Sequence, residues 1–196
     1  MTTPSGLYLR SCDVFDVRVR SVVDDQWAAP TPCTDWSVRD LVNHVVVEDL
    51  WLPPLLAGKT VADVGDTFAG DQLGTDPVAA WSRAVDRARA AAAEPGAEGR
   101  TVHLSYGDEK ASEYLMQMFT DHLIHAWDLA AATGGDSELP AELVDACAAW
   151  FADRESAYRS GGAVGDRVPV NPGADPQTRL LAAFGRASNQ GLSSRG

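Results

Sequence analysis

The stretch ASEYLMQMFTDHLIHAWDLAAA, residues 111–132, is the strongest helix signal in this chain of 196 residues. It contains neither proline nor glycine, and Gly134-Gly135 follows it, which is a common way for a helix to end. Apolar residues recur along it at helical spacing, so it predicts one long helix with a buried face. Asp121 and His125 are four residues apart and therefore share a face of that helix, with Cβ atoms about 5–6 Å apart.

Further helices are predicted on both sides of this stretch. Capping residues, prolines and glycines delimit them over residues 7–26, 38–52, 76–94, 140–160 and 176–184. Ser37 and Asp40 form a near capping box at the start of the second helix, and Pro53-Pro54 is expected to kink or end it.

The remaining segments predict little regular structure. Residues 59–75 are expected to form a long loop, and residues 101–106 a short extended piece. Several long helices with almost no strand predict an all-α bundle with extra short helices and a C-terminal extension. We expect a single domain over residues 1–186 and a disordered tail over residues 187–196.

Composition limits the classes of partner. The chain carries 16 Lys and Arg against 28 Asp and Glu, a formal net charge of -12, which disfavours nucleic-acid binding. No apolar stretch approaches the roughly 20 residues of a membrane span.

The three cysteines, Cys12, Cys33 and Cys147, form no Cys-x-x-Cys pair, and a reducing cytoplasm fits them best. Because no histidine is close to Cys33 in sequence, that residue is interpreted as a half-buried, unreactive thiol.

Two inward helix faces carry most of the histidine content. His44 lies on the predicted helix 38–52, and Asp121 and His125 lie on the predicted helix 111–132. A lone histidine on an apolar face is usually a core residue, but several buried polar groups together need a partner, and a cation is one. Two imidazoles and one carboxylate suit Zn²⁺ best, with Ni²⁺ or Fe²⁺ as further candidates.

Three neighbouring side chains leave alternatives open. His122 could replace Asp121 as a ligand, but the two point about 100° apart on a helix. Glu48 is a candidate ligand or nearby base, and equally a solvated charge at the bundle rim. Asp128 could orient His125, as metal-bound imidazoles often require, or could be a surface charge near the helix end.

Two motifs resemble a known family. They are PTPCTDWSVRDLVNH at residues 30–44 and DHLIHAWDLA at residues 121–130. They resemble the actinobacterial metal-binding proteins related to the N-terminal domain of mycothiol-dependent maleylpyruvate isomerase, in the DinB-like four-helix-bundle group. The resemblance covers roughly residues 7–184 and implies a metal held by His44, Asp121 and His125. Many relatives have His or Glu at the position of Asp121, and His122 lies where an apolar residue is expected.

The resemblance implies a thiol-dependent transferase or isomerase of the mycothiol type. A small-molecule thiol and an electrophilic substrate would be its partners, with Glu48 as the proton carrier. The alternative is a non-enzymatic metal- or ligand-binding stress-response protein, and members of the group often form homodimers. The isomerase carries a further C-terminal domain that this chain is expected to be too short to include in full, so activity on maleylpyruvate is not implied.

Overall fold

The computed structural model describes residues 3–187, so nearly all of the predicted tail lies outside the described residues. The all-α prediction is confirmed, with one small hairpin as the sole sheet of the described part. The chain forms two compact units, one up to Ser137 and one from Glu138 onward. The prediction of a single domain over residues 1–186 stays a prediction. None of the helices in residues 3–187 has the length and apolar character that a bilayer crossing requires.

Four long helices form the bundle of the first unit. The elements of this unit are α1 (Pro4–Ser21), α2 (Val38–Leu56), the short α3 (Val61–Val64), α4 (Pro77–Ala92), β1 (Thr101–Leu104), β2 (Gly107–Lys110) and α5 (Ala111–Thr133). Helix α1 packs along α5 and α2 packs along α4, while α2 also contacts α5. The largest fully buried side chains in the core between them are Trp81, Tyr8, Phe15 and Phe119.

The second unit contains α6 (Ala141–Ala152), α7 (Glu155–Ser160) and α8 (Pro176–Ala183). A single helix over residues 140–160 was expected, and that expectation is wrong. The Arg154 N–H bonds the Phe151 carbonyl, three residues back, and the Arg154 guanidinium donates to the Trp150 carbonyl. These contacts close the turn at the end of α6 before α7 begins.

Capping fixes the helices that carry the candidate ligands. The Ser37 hydroxyl accepts from the Asp40 N–H and the Asp40 carboxylate accepts from the Ser37 N–H, as the sequence predicts. Helix α5 ends at Thr133, and the next residue, Gly134, caps it with a left-handed φ of 69° and an N–H that donates to the Ala130 carbonyl.

Three local predictions need correction. Helix α1 ends at Ser21 rather than near residue 26, and a short 3₁₀ turn, Asp24–Gln26, follows it. Helix α2 continues through Pro53-Pro54, because both prolines lie in its last turn, where Leu55 and Leu56 are buried. The extended piece is one half of a hairpin, since β1 pairs with the unpredicted β2 in antiparallel register.

Candidate metal centre

The three predicted ligands meet between α2 and α5. The Nε2 atoms of His44 and His125 each lie 3.3 Å from Oδ1 of Asp121. One ligand atom from each residue lies within 4.8 Å of the other two. The ring centroids of His44 and His125 are 5.1 Å apart and nearly perpendicular. Two imidazole nitrogens and a carboxylate thus converge on one small volume.

The site is open on one side and covered on another. The side chains of His44 and Asp121 are 28% and 29% exposed, whereas His125 is 10% exposed. The Trp36 ring packs on both imidazoles, with centroid distances of 4.9 Å to His44 and 5.8 Å to His125. An aromatic wall on one side and partial exposure on the other would admit a small molecule from solvent.

Electrostatics within the cluster are strong. Burial raises the pKa of Asp121, but the charges of His125 and His44 more than offset this, so its pKa lies well below the ordinary value. Burial lowers the pKa of His125, and Asp121 raises it by more, so its pKa lies well above the ordinary value. The carboxylate therefore stabilises positive charge at this position, whether carried by a proton or by a metal ion.

The residues fit a divalent cation. Oδ2 of Asp121 is buried without a hydrogen-bond partner among the described residues, although an unpaired buried carboxylate oxygen is costly. Its Oδ1 faces both imidazole nitrogens. A donor set of two nitrogens and one carboxylate, with an open side, is typical of catalytic Zn²⁺ sites and also suits Ni²⁺ or Fe²⁺.

The Asp128 carboxylate contacts the His125 ring on the Nδ1 side, opposite Asp121. Its Oδ2 lies 3.0 Å from Nδ1 of His125, and its side chain is fully buried. The interpretation of Asp128 as a surface charge is therefore wrong, and the orienting alternative agrees with the structure. A carboxylate on Nδ1 directs the Nε2 lone pair of the imidazole toward the cluster.

Cys33 is half-buried, as predicted, but its contacts with His125 and Asp128 were not foreseen from sequence. Its Sγ lies 3.3 Å from Oδ2 of Asp128 and 3.8 Å from Nδ1 of His125, although it is more than ninety residues away in sequence. The turn that places it includes Asp35, whose φ is 64°, and is closed by a bond from the Trp36 N–H to the Cys33 carbonyl. Cys33, His125 and Asp128 form a second candidate donor set on the opposite nitrogen of the same imidazole. The sequence signals were the cysteine's place four residues before the N-cap Ser37 and its inclusion in the motif at residues 30–44.

His122 points away from the cluster and joins neither donor set. It is fully buried, with Nδ1 2.9 Å from the Met118 carbonyl and Nε2 3.2 Å from Oδ1 of Asp49. The Tyr8 hydroxyl donates to the same Asp49 oxygen at 2.6 Å. Burial lowers the pKa of His122, but the Asp49 charge raises it by more, to well above the ordinary value. This buried polar network was not foreseen from sequence.

Glu48 lies one helical turn beyond His44 and belongs to neither donor set. Its side chain is half-buried, and burial together with the charge of Asp121 raises its pKa above the ordinary value. The choice between a nearby base and a solvated charge at the bundle rim stays a prediction. Glu48 lines a cavity of about 290 Å³, whose other lining residues are Trp51, Leu55, Val61, Leu104, Ser105, Tyr106, Tyr114 and Gln117.

Fold and site together define a class: a DinB-like helical bundle with candidate metal ligands on two facing helices. The family model described as the mycothiol maleylpyruvate isomerase N-terminal domain matches residues 8–130 of the chain. This match spans α1 to α5 and includes all three predicted ligands. The chain belongs to this family.

Its similarity to curated proteins extends over almost its whole length. The uncharacterized protein Rv0738 of Mycobacterium tuberculosis (strain ATCC 25618 / H37Rv) is 33% identical over 186 residues, 93% of this chain and 97% of that protein. The uncharacterized protein MT0763 of strain CDC 1551 / Oshkosh matches with the same identity and coverage.

The fold also matches solved structures. The crystal structure of the mycothiol-dependent maleylpyruvate isomerase superposes with a TM-score of 0.67 at 18% identity, covering 96% of this chain and 94% of that chain. A histidine-to-alanine mutant of that isomerase superposes with the same TM-score at 17% identity, covering 99% and 98%. The superpositions span nearly the whole of the crystallised isomerase chains.

Proposed function

We propose that this protein binds a divalent metal ion and uses it to activate a low-molecular-weight thiol of the mycothiol type for reaction with an electrophile. The observation that carries the proposal is the convergence of His44, Asp121 and His125, whose donor atoms lie within 4.8 Å of one another. Membership in the mycothiol maleylpyruvate isomerase N-terminal domain family supports the choice of thiol. The reaction class is S-transfer or thiol-dependent isomerisation.

His44, Asp121 and His125 would hold the ion, with Zn²⁺ as the preferred candidate and Ni²⁺ or Fe²⁺ as the others. A bound divalent cation would lower the pKa of a coordinated thiol and so supply a thiolate. Asp128 would keep the His125 ring oriented through its contact with Nδ1. The partly exposed side of the cluster would receive the thiol.

Glu48 would carry the proton. Burial and the charge of Asp121 raise its pKa above the ordinary value, which makes the carboxylate a better proton acceptor than an exposed glutamate. In an addition to an unsaturated acceptor, the thiol proton passes to Glu48 and the sulfur forms a bond to the β-carbon. The displaced π electrons become an enolate, which takes the proton back from Glu48 at the α-carbon.

Metal binding is tested first, because the thiol chemistry depends on it. Purified protein would be analysed for bound metal and titrated with Zn²⁺ against a chromophoric chelator. We expect His44→Ala, Asp121→Asn and His125→Ala each to weaken binding by at least about 100-fold, more than the loss of an orienting partner does. His103→Ala is the matched control, since His103 is a half-exposed residue of β1 that pairs with Asp108. Equal affinity in all four variants would refute the site.

Thiol activation is tested second. The metal-loaded protein would be incubated with mycothiol or a surrogate thiol and a panel of electrophiles, alongside His125→Ala and Glu48→Gln. We expect conjugation by the native protein, a loss in His125→Ala and a slower rate with a changed pH profile in Glu48→Gln. Metal binding without any conjugation would instead favour the non-enzymatic metal-binding role.

A further inference from the structure

We propose that the cavity beside Glu48 is the binding site of the electrophile, and that it selects an uncharged, planar unsaturated or aromatic molecule over one that bears a carboxylate. This inference rests on the proposed function and adds the chemical class of the second substrate.

The cavity lies one helical turn from the candidate ligands. Glu48 follows His44 by four residues on α2, and Gln117 precedes Asp121 by four residues on α5. Both Glu48 and Gln117 line the cavity. Four residues of helix rise about 6 Å, which is a suitable separation between a thiol at the cluster and an electrophile in the cavity. The volume of about 290 Å³ suits one small molecule.

The cavity walls favour a flat, apolar molecule. Trp51 and Tyr114 provide aromatic surface, and Leu55, Val61 and Leu104 provide aliphatic surface. Aromatic rings bury a large apolar area and stack on other π systems. The turn of the β1–β2 hairpin forms one wall, where the Tyr106 hydroxyl and the Gln117 amide are hydrogen-bonded to each other at 2.6 Å. These groups and the Ser105 hydroxyl can donate to a carbonyl oxygen.

The charge of the cavity disfavours an anion. Glu48 is the one carboxylate among the lining residues, and no lysine or arginine lines the cavity within the described part of the chain. Over residues 3–187, the Glu48 carboxylate also makes no hydrogen bond or ion pair. A substrate carboxylate would therefore meet a like charge and no lysine or arginine among the lining residues, in a chain of net charge -12. Strong recognition of carboxylates commonly uses arginine, whose paired N–H groups bind both oxygens.

Two ligands that differ in this one feature provide the test. Benzylideneacetone and cinnamate share a phenyl ring and a conjugated double bond, but the first ends in a ketone and the second in a carboxylate. Their binding to the Zn²⁺-loaded protein would be measured without thiol, by quenching of tryptophan fluorescence and by saturation-transfer NMR. We expect benzylideneacetone to bind at least about tenfold more tightly than cinnamate. Equal binding, tighter binding of cinnamate, or binding of neither ligand would overturn the proposal.

Substitutions in the cavity wall test whether the preference for the uncharged ligand arises in this cavity. Ser105 is an exposed residue of the hairpin turn, so Ser105→Arg introduces a cation at low risk to the fold. We expect this variant to tighten cinnamate binding about tenfold, while the matched uncharged control Ser105→Gln leaves it unchanged. Trp51→Leu should weaken benzylideneacetone binding by removing an aromatic wall. Unchanged affinities in Ser105→Arg and Trp51→Leu would place the ligand elsewhere and reject the cavity.

The experiment separates this inference from the proposed function. Selective binding with the expected variant effects, but without any thiol conjugation, would support the cavity and reject thiol activation. Conjugation of both ligands at equal rates, together with equal binding, would support thiol activation and reject the selectivity.

Discussion

His125 is the residue shared by the two candidate donor sets. Its Nε2 faces Asp121 and its Nδ1 faces Asp128 and Cys33. An imidazole binds a metal through one nitrogen while the other is held by a hydrogen-bond partner, so the side of the ring that binds metal determines the chemistry. Our proposal places the metal on Nε2 and gives Asp128 the orienting role.

Replacing Asp128 should weaken metal binding without removing a ligand. Asp128→Asn keeps the side-chain shape but removes the negative charge from Nδ1 of His125. We expect the affinity for Zn²⁺ to fall by roughly 10–100-fold, as is usual when the hydrogen-bond partner of a metal-binding residue is lost. A competition titration with a chromophoric chelator measures the change, and circular dichroism checks that the fold is retained. An unchanged affinity would contradict the orienting role.

Replacing Cys33 should leave the metal spectrum unchanged. If Co²⁺ binds at His44, Asp121 and His125, no sulfur is coordinated and the near-ultraviolet region shows no thiolate charge-transfer band. We therefore expect the absorption spectra of Co²⁺-loaded native protein and Cys33→Ser to coincide. A charge-transfer band in the native protein that is absent from Cys33→Ser would contradict this assignment. It would show that the metal binds at the second donor set, with Asp128 and Nδ1 of His125 as its other ligands.

Among the elements, α2 determines where His44 and Glu48 lie. Its first turn is fixed by the reciprocal bonds of Ser37 and Asp40, and the loop before it carries Cys33 and Trp36. One continuous segment thus forms both the start of α2 and the wall of the candidate metal site, where Trp36 packs on the imidazoles. A loss of the cap should therefore affect both the stability of the protein and the site.

Removing the cap should cost stability in a pH-dependent way. Ser37→Ala should lower the free energy of unfolding by about 1 kcal/mol, measured by urea denaturation at neutral pH. The Ser37 hydroxyl and N–H hold the pKa of Asp40 below its ordinary value. That contribution is present above about pH 4 and is lost as the pH falls through the lowered pKa, so the difference between the proteins should shrink in acid. Ser112→Ala, in the first turn of α5, is the control and should change stability by less than half as much.

For the whole molecule, the candidate centre joins two helices that are far apart in sequence. An ion bound by His44 on α2 and by Asp121 and His125 on α5 links these helices in the folded state only. Ligands that bind only the native state raise its stability by mass action. Metal binding should therefore be visible as global stabilisation, independently of any catalytic activity.

Zn²⁺ at about 100 times its Kd should raise the free energy of unfolding by about 2.7 kcal/mol and the Tm by about 5–10 °C. Calorimetry of the native protein with and without Zn²⁺ measures the shift, which should vanish in His125→Ala and persist in His103→Ala. A single transition would also support the predicted single domain over residues 1–186, whereas two transitions would assign the two compact units to separate domains. An identical shift in the His125→Ala protein would rule out the proposed ligands.

The parts of the fold predicted from sequence are those with local causes. The length of α5 follows from an uninterrupted apolar period and a terminal glycine, and the start of α2 follows from Ser37 and Asp40. The strand β2 and the break at Arg154 were missed, because a pairing strand and a side chain that closes a turn depend on contacts that local patterns do not encode.

The sequence by itself determined that Asp121 and His125 share a face of one helix, because the helical repeat fixes the angle between residues four apart. Only the tertiary structure decided that His122 turns to Asp49 and that Cys33 reaches His125. Those contacts depend on the rotation and distance at which separate segments pack. Many side chains across the core set that packing together, and no single stretch of sequence specifies it.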